Sequence, residues 1–233
     1  MKKLMAIALA AAAASFAAAQ TVPYPPPQNV LQLSASGTVE VTQDLLTMQL
    51  STTREGTDPA QVQSQLKTAL DAALTEAKKT AAAGQMDVRT GNFALYPRHN
   101  REGRIGSWQG TAELVLEGRD FPRITQAAGR INTMTLAGVG FGLSREQRAK
   151  VETEAQDIAI SRFRSKAAEL TKGFGFTGYT LREVSVQTNE PGFIRPMMAQ
   201  RGAMAGEAAM AQVPVEAGKA NVTVTVSGSV QLR

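Results

Sequence analysis

The chain has 233 residues, no cysteine, one histidine and a formal net charge of +5. Without cysteine it has no disulfide support, no thiol catalysis or thiol peroxidase chemistry, and no thiolate metal site. The single histidine, His99, rules out a multi-histidine cluster within one chain, and dispersed basic residues without interleaved aromatics do not make a nucleic-acid footprint.

The N-terminus reads as a targeting segment. Lys2 and Lys3 form a basic start, Leu4 to Phe16 is an alanine-rich apolar run, and Ala17-Ala18-Ala19 suits signal peptidase. Residues 1–19 are therefore expected to be a signal peptide cleaved after Ala19, with the mature chain periplasmic or otherwise exported. The apolar run falls short of the ~20 residues a membrane-spanning helix needs. No later stretch is long and uncharged enough, so no transmembrane segment is expected in the mature chain. Losing Lys2 and Lys3 leaves 23 basic residues against 20 acidic ones, a mild excess. Pro23, Pro25, Pro26 and Pro27 make residues 20–28 an extended tether. The folded part is expected over 29–233, as one domain or two intertwined α+β subdomains.

Strand signals open that part. Asn29 to Val41 is rich in valine, leucine and serine. Leu46 to Ser51 alternates strictly, which buries one face and wets the other. Gln43-Asp44 between them reads as a tight turn. A helix starts at Asp58, with Pro59 at its first position and Gln61 completing a capping-box pattern. Val62, Leu66, Ala69, Leu70, Ala73 and Ala77 recur at spacings of three and four and form its apolar face. Gly84 is its stop signal. Met86 to Tyr96 and Thr111 to Glu117 read as strands joined by a polar loop, Pro97 to Gly106. Phe121 to Arg130 reads as a short helix and Gly138 to Leu143 as a glycine-rich strand.

The longest helix starts at Ser144, capped with Gln147. Its face is Val151, Ala155, Ile158, Ala159, Phe163, Ala167 and Leu170, and Gly173 and Gly175 stop it. Tyr179 to Thr188 is strand-like. Val222, Val224 and Val226 then alternate with Thr223, Thr225 and Ser227, and Val230 and Leu232 carry the pattern on. The order is β-β-α-β-β-α-β-α-β-β. Neighbouring strands close enough for hairpins predict an α+β fold of antiparallel sheets with helices packed on one face.

These residues resemble a known family. Ala35-Ser36-Gly37-Thr38-Val39-Glu40-Val41, followed by Asp44 and an alternating strand, is similar to the opening of the SIMPL-domain (DUF541) family. That family includes bacterial periplasmic immunogenic proteins of about this size. Thr90 to Pro97, Gly138 to Ser144, and Pro214 to Gly218 before the valine strand resemble further family segments in the expected order. Gln43 and Ala217 depart from it, standing where prolines are common. The resemblance implies an α+β domain, ring-like or channel-like homo-oligomers in some members, and a link to oxidative-stress resistance in others. It supplies no catalytic motif.

Little chemistry is written locally. His99, near Glu102, can serve as a base or ligand or simply sit in a polar loop. Asp44 at its turn is expected to bond nearby backbone N–H groups. Glu152, Glu154 and Asp157 share the long helix with basic partners at i,i+4 spacing. Gly138-x-Gly140-x-Gly142 lacks the spacing of a phosphate cradle. The unusual segment is Glu190 to Val213, with Met197, Met198, Met204 and Met210. These thioethers can bind copper(I), act as a sacrificial oxidation sink, make an adaptable contact with a partner or with a second copy, or stand in a flexible loop by chance. We expect no catalytic, cofactor or metal site. The leading expectation is a non-enzymatic envelope protein, a homo-oligomeric scaffold or binding module with an envelope partner and a place in oxidative-stress tolerance. The runner-up is a small-molecule binder or enzyme whose pocket gathers dispersed residues. Mass spectrometry of the natural protein should find a chain beginning at or beside Gln20; a full-length cytoplasmic chain as the main species would contradict export.

Overall fold

A computed structural model describes residues 28–189 and 215–233. The elements are β1 (Val30–Thr42), β2 (Leu45–Gly56), α1 (Pro59–Lys78), β3 (Met86–His99), β4 (Ile105–Gly118), α2 (Phe121–Arg130), β5 (Thr135–Gly142), α3 (Arg145–Gly173), β6 (Tyr179–Asn189) and β7 (Lys219–Leu232). Their order is the one the periodicity predicts. They build an α+β fold with two antiparallel sheets, β1-β7-β6 and β3-β4-β2-β5. Among the described residues, no helix is long and apolar enough to cross a membrane.

One expected hairpin does not form. β1 and β2 lie in different sheets, so Gln43-Asp44 is a crossing between layers and not a tight turn. The pairing that wins joins the two ends of the chain. β1 runs antiparallel to β7 with Val39 opposite Val222 and Ala35 opposite Val226, which puts both apolar sets on one face. The β3–β4 hairpin is also longer than its sequence suggests, since β3 continues through Pro97 to His99. Proline is tolerated there because β3 is an edge strand. The loop shrinks to a short turn in which Asn100 Oδ1 accepts from the N–H groups of Glu102 and Arg104, both at 3.0 Å.

Each sheet carries helices on one face. On the four-stranded sheet, α1 buries Val62, Leu66, Ala69, Leu70, Ala73 and Ala77, the face read from spacing. Leu46, Met48, Leu50, Leu114 and Leu116 meet it from β2 and β4, and α2 adds Ile124, Ala127 and Ala128. The Asp58 cap accepts from Ala60 N–H at 2.9 Å, one residue short of the capping-box geometry.

On the three-stranded sheet, α3 buries Val151, Ala155, Ala159, Phe163, Ala167 and Thr171. Ile158 and Leu170, expected in that face, are only half-buried. The seam runs through positions four apart, 155 to 171. Ile158 and Leu170 each precede a seam residue by one, about 100° around the helix, and so flank it. Thr171 tolerates burial because its hydroxyl donates to the Ala167 carbonyl at 2.6 Å.

The small seam residues let α3 lie almost on the backbone of β1. A Cβ on Gly37 would stand 2.1 Å from the Ala155 carbonyl oxygen and 2.7 Å from Ala159 N. Those are main-chain atoms, and main chain cannot rotate aside. Gly37→Ala is therefore expected to lower stability by about 1–3 kcal/mol through overpacking. Gly140→Ala, which meets open space, should stay within about 0.5 kcal/mol of wild type. Chemical denaturation of both variants checks the pair.

Candidate functional site

The strongest polar constellation among the described residues is built around Asp44, where the chain leaves one sheet for the other. Asp44 Oδ1 accepts the Ser144 N–H at 2.7 Å, and Oδ2 accepts the Ser144 hydroxyl at 2.6 Å. Ser144 is the N-cap of α3, and its own oxygen accepts from Gln147 N–H at 3.2 Å. The carboxylate thus sits at the positive end of the longest helix. Arg119, just past β4, lies 3.3 Å from Asp44 and donates to Glu146 at 2.9 Å. Gln43 joins in, its N–H donating to the Gly218 carbonyl at 3.0 Å and its side-chain amide to the Phe141 carbonyl at 3.2 Å.

Asp44 was expected to bond N–H groups near it in the chain. It bonds a residue a hundred positions away instead. Arg119 and Glu146 carry no local signature of this role, and only the two-sheet topology brings them there. The cluster's hydrogen bonds are engaged in holding segments together, which is a joint rather than a reactive arrangement.

Nearby charges are likewise structural. Asp120 caps α2, and the Arg123 backbone N–H, then its guanidinium, hold the Asp120 carboxyl below the ordinary carboxylate range. Across β1 and β7, the hydrogen bond from Lys219 to Glu40, followed by the Glu40 charge, raises the Lys219 ammonium above its usual range.

The other sequence candidates lie apart. His99 is exposed at the end of β3, beyond the Asp44 joint, and Tyr96 is 61% exposed on the same strand. Glu102 pairs with Arg104 at 3.6 Å. Among the described residues, no group of three or more His, Asp or Glu side chains is placed to hold a metal ion. Met197, Met198, Met204 and Met210 lie outside the described residues, as do the signal segment and most of the tether.

Two surface features had no local signal. One is an open depression on the three-stranded sheet, on the side away from α3, lined by Gln32, Ser34, Glu183, Ser185, Ser227 and Ser229. It forms where β6 bulges between Leu181 and Glu183 against Gly228. It contains neither His99 nor Tyr96. The other is β6 itself, an edge strand exposed from Leu181 to Thr188.

A family model described as SIMPL, protein of unknown function (DUF541), matches residues 31–230. No curated protein matches the chain. Among solved structures, the crystal structure of AtUAH in complex with glyoxylate aligns at 13% identity and a TM-score of 0.25. The alignment covers 56% of this chain and 34% of that one, and a likeness this slight carries no argument about fold or activity.

The joint yields a stability test. Asp44→Ala strips two hydrogen bonds from the α3 cap and should cost about 1.5–3 kcal/mol, the range for bonds to a charged group. Glu146→Ala removes a partner that is 82% exposed and should cost no more than about 1 kcal/mol. Thermal and urea unfolding of the two variants would rank them.

Proposed function

The chain belongs to the SIMPL family, and from that premise we propose that it is an exported, non-enzymatic envelope protein that works as an oligomeric scaffold or binding module. The observation that carries this reading is the disposition of its surface. Among the described residues, the best-organised polar cluster is consumed in joining the two layers, whereas β6 leaves an edge strand with exposed apolar side chains. Leu181, Val184 and Val186 on β6 are 57%, 46% and 47% exposed. An open strand edge is a template for another chain, and proteins ordinarily blunt such edges. Export follows from the basic, apolar and small-residue pattern of residues 1–19. A part in oxidative-stress tolerance is the biological setting the family likeness suggests. The methionines at 197, 198, 204 and 210 fit it as oxidisable or partner-contacting groups.

A second reading is a small-molecule binder or enzyme. The serine-lined depression favours it, since short hydroxyls and Glu183 offer donors and an acceptor to a polar ligand. The depression is shallow and open, unlike the enclosed pockets that bury most of a ligand.

Light scattering on the mature protein across a concentration series separates the readings. A mass at least twice that of the monomer supports the scaffold. A strict monomer at every concentration would reject it and leave the depression as the feature to pursue.

A further inference from the structure

Among the described residues the two sheets have four edges, and three of them are covered or protected. On β1, Arg162 donates to the Ser36 carbonyl at 2.8 Å and Lys166 to the Ser34 carbonyl at 3.2 Å, so cationic side chains from α3 occupy that edge. β3 is broken by a register shift between Thr90 and Phe93 and carries Pro97, Arg89 and Arg98. β5 has only 8 residues, with glycine at 138, 140 and 142, and its partner register shifts at Gln49/Leu50. Short length, proline, charge and bulges are the usual protections of an edge.

β6 has none of these over Glu183 to Thr188 beyond the single charge of Glu183. That stretch pairs with β7 in unbroken register, from Glu183 opposite Ser229 to Thr188 opposite Val224. Val184 and Val186 pair with Gly228 and Val226 and so point to the α3 side, whereas Ser185 and Gln187 point away. The helix seam lies over β1 and β7, which is why both valines stay exposed.

This strand is self-complementary. We infer that β6 pairs antiparallel with β6 of a second copy about a two-fold axis at Ser185, joining two three-stranded sheets into one of six strands. The inference rests on the assembly reading above and assigns its interface. In this register Val184 faces the partner's Val186, and Val186 the partner's Val184, on the α3 side. Glu183 faces the partner's Gln187, Arg182 the partner's Thr188, and Ser185 its own copy. Apolar meets apolar, polar meets polar, and no like charges oppose. Centring on Val184 sets Arg182 against the partner's Val186, and centring on Val186 sets Val184 against the partner's Thr188. Cross-strand matching therefore selects Ser185. A residue-centred axis also keeps both α3 helices on one face of the joined sheet, and the contact closes as an isologous pair.

The absence of cysteine makes the register directly testable. Directly opposed Cα atoms in an antiparallel pair stand about 4.5–5.5 Å apart, within disulfide reach. Full-length mature Ser185→Cys, oxidised with glutathione disulfide, should give a covalent dimer in high yield, whereas Thr53→Cys on the four-stranded sheet should not. Val184→Lys with Val186→Lys sets ammonium against ammonium and should lower the mass by light scattering at least about twofold, with an unchanged circular dichroism spectrum. A wild-type assembly whose mass the lysines leave unchanged, together with a Ser185→Cys variant that does not cross-link, would overturn this interface while the assembly reading stands. A monomeric wild type would overturn both. A monomer with β6 amides protected from hydrogen exchange would show in addition that the chain's own residues cover the edge.

Discussion

The carboxylate of Asp44 is the centre of the joint that ties the two layers of the fold together. The chain changes sheet where β1 gives way to β2 and where β5 gives way to α3, and residues 215–218, which lead into β7, run beside both crossings. The two crossings and the approach to β7 meet at one place. Asp44 takes both donors of Ser144, and the adjacent Gln43 bonds Gly218 and Phe141. Val215 packs against the apolar cluster of the four-stranded sheet before its strand enters the other. The joint is half-shielded, with the Asp44 side chain 23% exposed. Its hydrogen bonds are therefore stronger than surface ones, and an orphaned partner would be costly.

A second constraint is steric. Glycine at 37 and alanine at 155, 159 and 167 bring α3 within main-chain contact of β1. That closeness ties the helix to one side of a three-stranded sheet. Its seam covers β1 and β7, and β6 is left with its valines in water. The same geometry that makes the N- and C-terminal strands a sealed pair thus leaves the other margin of the sheet open.

The described residues offer surfaces rather than a constellation of reactive groups. The joint uses its charges internally. His99 and Tyr96 stand out on the β3–β4 hairpin and do not line the serine-lined depression. What remains available among the described residues is a strand edge and a shallow polar dent.

Much of the fold is legible in the sequence alone. The faces of α1 and most of α3, the limits of α2, the order of elements and the buried alternation of β2, β4 and β7 follow from side-chain period. Period is local, because each residue's burial is set by neighbours three, four or two positions away. The family likeness is also visible there, as short segments in register. Pairing partners are not. Alternation says that a strand has an apolar face but not which strand will share it, so Gln43-Asp44 reads as a hairpin turn when it is a crossing. The roles of Arg119 and Glu146, the distant bond from Asp44 to Ser144, the flanking positions of Ile158 and Leu170, and the open edge of β6 depend on where α3 docks. They are properties of contacts between residues far apart in the chain, and only the assembled tertiary structure decides them.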